Sequence, residues 1–193
     1  GFIPLFIALE NQSFRRSFLV AYLCGVIFWS FTIYWLVHVT LLGTIILVLY
    51  LALYFGFFGL GITFLRRNHK NGIIFFPSLW VLLEYVRSYL FTGFPWALIG
   101  FSQYKNLPVI QIADITGVWG VSFLVVLVNT VIYSIIRKQL KLRFYLICAA
   151  ILFLSLTYGA IRLSYNPDLQ KNRRVFKISV IGGNIPQDLK WNK

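Results

Sequence analysis

The chain has 193 residues and no methionine; 59% of it is hydrophobic, 19% aromatic and 12% charged, with a mean hydropathy of +0.78. A soluble domain averages about 25% charged residues, so this composition excludes one and makes a multi-pass membrane protein the expectation. Eighteen Lys and Arg against five Asp and Glu leave a net charge of +13, but the basic residues stand in short tracts between apolar runs and form no stripe with interleaved aromatics, which argues against a nucleic-acid partner.

From the first residue onward, Phe2 to Leu9 is apolar but far shorter than the roughly 20 residues that cross a bilayer. It is expected to be half a span, and the chain reads as a fragment of a longer protein. Five full spans are then expected: Ser17 to Val37, Leu41 to Leu65, Gly72 to Leu90, Pro108 to Ile136 and Phe144 to Ile161. The third carries Glu84 and Arg87. The fourth is too long for one straight crossing and has Asp114, Gly117 and Gly120 near its start, which predicts an interfacial entry followed by a kink. The bundle thus occupies residues 1–163.

Basic residues in alternate loops give the orientation. Arg15, Arg16, Arg66, Arg67, Lys70, Arg137, Lys138, Lys141 and Arg143 fall on one side, and the other short loops hold only Lys105. Short cytoplasmic loops collect Lys and Arg, so the loop after Leu90 and everything after Ile161 are expected outside the cytoplasm. Residues 164–174 are polar with a turn signal at Asn166-Pro167-Asp168 and read as a linker. Val175 to Ile181 alternates and is β-branched, a strand pattern closed by Gly182-Gly183-Asn184-Ile185-Pro186. One strand cannot fold alone, so residues 175–193 are expected to open a second, truncated domain.

Few residues could carry chemistry. Glu84 and Arg87, each costing about 2.5–3.5 kcal/mol inside a membrane helix, sit at i and i+3 on one face and can pair, with Ser88 extending the polar stripe. A structural pair and the lining of a headgroup cavity both remain open. The loop from Phe91 to Tyr104 is unusually apolar, which fits an aromatic belt or a platform guiding lipid. Gln111 and Asp114 are read as packing or capping groups. His38 and His69 lack partners at ligand spacing, and Cys24 and Cys148 lie inside apolar runs, so no metal site and no cofactor are expected. No Ser/His/Asp or Cys/His arrangement is present in the sequence pattern.

Four stretches together resemble a known family: Gly25 with Tyr34-Trp35-Leu36; Pro77 to Ser88; Thr92-Gly93-Phe94-Pro95-Trp96 with Gly100-Phe101-Ser102-Gln103; and Gln111 to Asn129 with Gly117, Gly120 and Ser122. A fifth is the tail Ile178 to Trp191, with Asn184-Ile185-Pro186-Gln187 and Lys190-Trp191. The chain is similar to the apolipoprotein N-acyltransferases, with one departure at Gly182, where that family usually has Gln. The resemblance implies an all-α polytopic membrane bundle followed by the truncated first strand of an α/β nitrilase-like domain.

It also implies a ping-pong acyl transfer in which a Cys thiolate takes an acyl chain from a phospholipid and yields it to the N-terminal amine of a diacylated apolipoprotein. The family's Glu-Lys-Cys triad would lie beyond residue 193, so no catalytic residue is expected in this chain and the fragment is expected to be inactive. Candidate substrate-binding residues are Trp191, Trp96 and Gln103. The implied location is the bacterial inner membrane, with the C-terminal domain on the periplasmic face and membrane lipid as surroundings; a monomer is expected. The competing readings are a transporter or channel lined by Glu84 and Arg87, and a non-catalytic membrane scaffold.

Overall fold

The computed structural model describes residues 1–68, 72–138, 140–165 and 178–179, and every regular element among them is helical. A short helix α1 (Ile3–Ala8) leads into α2 (Phe14–Thr32), which starts where Ser13 takes an extended conformation and its side chain accepts the backbone N–H of Arg16 at 3.4 Å. At its far end the chain tightens into a 3₁₀ turn, Tyr34–His38, and returns as α3 (Leu41–Asn68). A second 3₁₀ turn (Gly72–Phe75) precedes α4 (Phe76–Tyr89), and a loop with a third 3₁₀ turn (Ile99–Gln103) connects to α5 (Leu107–Ile110), α6 (Ala113–Arg137) and α7 (Leu142–Ser164).

Four of these helices, α2, α3, α6 and α7, are long and apolar enough to cross a membrane. The fifth expected span, Gly72 to Leu90, is not among these four, but its residues are helical almost throughout: the second 3₁₀ turn runs directly into the 14 residues of α4, together about 29 Å against ~30 Å of hydrocarbon. Pro77 stands in the first turn of α4, and after Leu90 the chain turns back, with Phe94 N–H donating to Arg87 O at 2.9 Å and Gly93 N–H to Leu90 O at 3.0 Å. The next run opens with α5, a four-residue helix, and the expected kink is present, with Gly117 breaking α6 at φ 64, ψ −172.

In lipid, apolar burial alone gives little drive for helix association, so close packing and hydrogen bonds decide how helices meet. Gly59 shows this between α2 and α3: a Cβ there would lie 2.5 Å from Ser17 O and 2.7 Å from the Ala21 Cβ. One turn on, Thr63 Oγ1 donates to Ser17 Oγ at 2.6 Å. An aromatic cluster fills the centre, with Trp80 edge-on to Phe2 at 4.5 Å and to Phe58 at 4.9 Å, and Phe6 beside Phe76 at 5.2 Å; each such pair adds about 0.5–1.5 kcal/mol.

The expected half span is a buried plug. Phe6 is fully buried in α1, the Phe2 N–H donates to Asn129 Oδ1 at 2.9 Å, and Glu10 takes Tyr133 and Arg137 of α6 as partners. By contrast α7 buries only Ser155 and Gly159. It is fastened to the start of α6, where the Tyr158 O–H donates to the Asp114 carboxylate, 2.7 Å from Oδ2 and 2.9 Å from Oδ1, and Arg162 pairs with Asp114 at 3.2 Å. Gln111 donates to Leu107 O within the α5 segment at 3.2 Å. The expected strand Val175 to Ile181, like the rest of 175–193, lies outside the described residues except for Ile178 and Ser179, which belong to no regular element.

Candidate functional site

Trp80, Glu84 and Arg87 follow one another at spacings of four and three, so α4 presents them on a single face. Both charges are buried, Glu84 at 2% and Arg87 at 3% exposure. Their close partners are backbone groups of the loop that follows. Glu84 Oε1 accepts the N–H of Ile99 at 2.8 Å, and Arg87 Nη1 donates to Phe94 O at 3.0 Å and Trp96 O at 2.9 Å. The guanidinium also lies 4.8 Å from the Trp29 ring of α2, a cation–π contact. Ser88, expected to extend the stripe, instead donates to Glu84 O at 2.8 Å.

The ion pairs among the described residues join Glu10 to Arg137 and Asp114 to Arg162. Glu84 and Arg87 therefore act side by side as an acceptor and a donor for loop backbone, with their opposite charges close along the helix. That answers how two charges are tolerated at this depth: each is offset by hydrogen bonds to charge-accepting or charge-donating dipoles. Loop geometry makes it possible. Phe91, Gly93 and Ala97 all take left-handed backbone conformations, at φ 56, 72 and 51, which fold the loop back over the helix end.

Beneath the loop is a cavity of about 20 Å³ lined by Trp29, Tyr54, Phe55, Trp80, Glu84 and Arg87, among others. That is the space of about one water. Trp29 Nε1, Trp80 Nε1 and Glu84 Oε2 are buried there without a hydrogen-bond partner among the described residues. Chemically the arrangement anchors and orients a loop. It offers no nucleophile beside a base.

What it orients is an aromatic surface. Trp96 is 52% exposed and stacks on Trp35 of the first 3₁₀ turn at 5.5 Å and 26° between planes, while Phe94 sits 5.4 Å from Trp96 and 5.8 Å from Trp29. Gly100 N–H donates to Ser122 Oγ of α6 at 3.0 Å, fastening the loop on its other side. Gln103 lies further along. Its Nε2 donates to Ser102 Oγ at 3.1 Å, and with Asn106 it forms the rim of a crevice of about 450 Å³ between α6 and α7, walled by Leu124, Val128 and Leu156.

Of the candidate residues, Trp96 and Gln103 thus share one loop but line different surfaces, and Trp191 lies outside the described residues. Trp29 and Trp35 were not singled out as site residues by sequence reasoning; Trp35 stood in a quoted motif, but no local pattern says that its ring meets Trp96. Cys24 and Cys148 lie within α2 and α7, both half-buried. Among the described residues no three His, Cys, Asp or Glu gather as metal ligands.

Residues 1–131 match the model of the apolipoprotein N-acyltransferase N-terminal domain. The whole chain aligns with an apolipoprotein N-acyltransferase of Geobacter metallireducens at 37% identity, covering 40% of that protein. A relative of the same name from Rickettsia prowazekii is 35% identical over 68% of the chain and 26% of its own length, and one from Coxiella burnetii 32% over 81% and 32%. The chain thus spans between a quarter and two-fifths of these relatives. On the match of more than half its residues to the family model, and on that identity over its full length, this chain belongs to the apolipoprotein N-acyltransferase family.

Proposed function

We propose that the chain is the membrane-embedded part of an enzyme that moves an acyl chain from a phospholipid to the N-terminal amine of a lipoprotein's diacylglyceryl-cysteine. The names of the relatives support the reaction class. The observation that carries the role of this part is the loop 91–104, an exposed aromatic surface held in place by Glu84 and Arg87 through three hydrogen bonds to its backbone. Such a surface, rich in Trp, Tyr and Phe, suits headgroup depth. It would guide acyl chains toward a soluble catalytic domain that residues 175–193 begin.

On this reading the bundle sits in the inner membrane with the loop and the C-terminal domain on the periplasmic side, as the basic tracts at the opposite end favour. The nucleophile belongs to the soluble domain, since Cys24 and Cys148 stand in membrane helices, and the 193-residue chain alone is expected to transfer nothing. Trp96, Gln103 and Trp191 are proposed to contact lipid substrate.

The test uses the full-length protein in phospholipid nanodiscs with a diacylated lipopeptide acceptor. Transfer of a labelled acyl chain to the peptide amine is expected, and its loss on blocking the peptide amine. Absence of transfer with the full-length protein, under conditions where a relative's enzyme is active, would overturn the reading.

A further inference from the structure

At the end of the bundle opposite the aromatic loop, the turn between α1 and α2 meets the last two turns of α3 around a second cavity. It measures about 370 Å³ and is lined by Leu9, Asn11, Gln12, Thr63, Arg66 and Arg67. Asn11 takes a left-handed conformation at φ 52, and it and Gln12 line the cavity together with the two arginines. Arg67 Nη2 donates to Gln12 O at 3.1 Å, and its guanidinium lies 4.9 Å from the Phe14 ring. That fixes one wall.

Arg66 is different. Its guanidinium packs 5.9 Å from the Tyr133 ring, and its Nη1 is buried with no hydrogen-bond partner. The carboxylate at this end, Glu10, is committed elsewhere: Oε1 accepts from Tyr133 Oη at 2.7 Å and Arg137 Nε at 2.8 Å, and Oε2 pairs with Arg137 Nη2 at 2.7 Å. Arg15 and Arg16, both exposed, add charge on the first turn of α2. The cavity is therefore a concave site with two arginines, two amides and no acid of its own among the described residues.

We propose that this cavity binds the phosphate of an anionic phospholipid headgroup. Planar guanidinium forks match phosphate oxygens, and basic clefts between membrane helices on the Lys/Arg-rich side suit anionic lipid heads. A free phosphate shares that chemistry, but Phe14, 39% exposed with its ring 4.9 Å from the Arg67 guanidinium, offers apolar surface that an acyl chain can use and a free phosphate cannot. The site stands on its own residues and does not depend on the acyl-transfer reading. It lies at the other end of the bundle from the loop 91–104.

The experiment is native mass spectrometry and thermal unfolding of the full-length protein in detergent, titrated separately with phosphatidylglycerol, phosphatidylcholine and inorganic phosphate. Phosphatidylglycerol is expected to bind about fivefold or more tightly than phosphatidylcholine and to raise the unfolding temperature, with inorganic phosphate much weaker. The double variant Arg66→Gln, Arg67→Gln is expected to erase that preference. Arg66→Lys keeps the charge but not the fork and is expected to retain part of it, which serves if the double variant does not fold. Equal binding of the two lipids, a preference that survives the double variant, or inorganic phosphate matching the anionic lipid would each overturn the proposal.

Discussion

The carboxylate of Glu84 accepts the backbone N–H of Ile99 at 2.8 Å, so a residue in the middle of α4 holds the first residue of a 3₁₀ turn fifteen positions later. With Arg87 one turn on, it converts a short helix into the support for an aromatic loop. Neither residue is exposed enough to meet a substrate directly.

Glu84→Gln should therefore be mild and Glu84→Leu severe. The amide oxygen of Gln can still accept from Ile99, whereas Leu leaves that N–H buried and unpaired and removes the negative charge beside Arg87. A loss of about 3–5 kcal/mol is expected for Leu and less than half of that for Gln. Unfolding of the full-length protein in one detergent separates the two. Equal losses would show that the hydrogen bond to Ile99 contributes little.

Arg87→Lys should also weaken the protein although charge is kept. One Nη1 serves two carbonyls here while the plane lies over Trp29, and an ammonium cannot stack in that way. Lost charge-assisted bonds of this kind cost about 1.5–3 kcal/mol each. The variant should unfold at lower temperature, and limited proteolysis should cut between residues 91 and 98 faster than in the parent.

Trp96→Ala should separate stability from substrate handling. Its ring gives up a stack with Trp35 worth about 0.5–1.5 kcal/mol, so the protein should fold. If the loop guides lipid, acyl transfer in the full-length protein should show a raised KM for the phospholipid donor with kcat little changed. A fall in kcat at constant KM would place the effect in the soluble domain.

Two glycines should fail for different reasons. Gly59→Ala puts a methyl 2.5 Å from Ser17 O and must push α2 from α3. Gly117→Ala has room, the nearest side-chain atom being Trp119 Cδ1 at 3.4 Å, but must hold φ 64, ψ −172, a region almost confined to glycine, at about 1–3 kcal/mol. Adding Ser17→Gly, which keeps the Ser17 backbone carbonyl, should not rescue Gly59→Ala, while no neighbouring truncation should rescue Gly117→Ala; unfolding temperatures of the double variants check both.

Hydropathy made the long helices legible, and Asp114, Gly117 and Gly120 marked the break near the start of α6. The division of the run from Gly72 to Leu90 into a 3₁₀ turn and α4 was not legible, because hydropathy sums side chains and does not see which backbone hydrogen bonds form. Spacing likewise set Glu84 and Arg87 on one face, but their loop partners are carbonyl and N–H groups that every residue carries and no sequence pattern marks. The stack of Trp35 on Trp96 joins positions 61 residues apart, which only the fold brings together.

That stack also makes the loop visible to light. Two indoles 5.5 Å apart with 26° between their planes are close enough for their electronic transitions to couple, and a paired positive and negative band in the circular dichroism, lost in Trp96→Ala, is the expected signature. Seating of the loop is thereby written into the protein's own ultraviolet spectrum, without any added label.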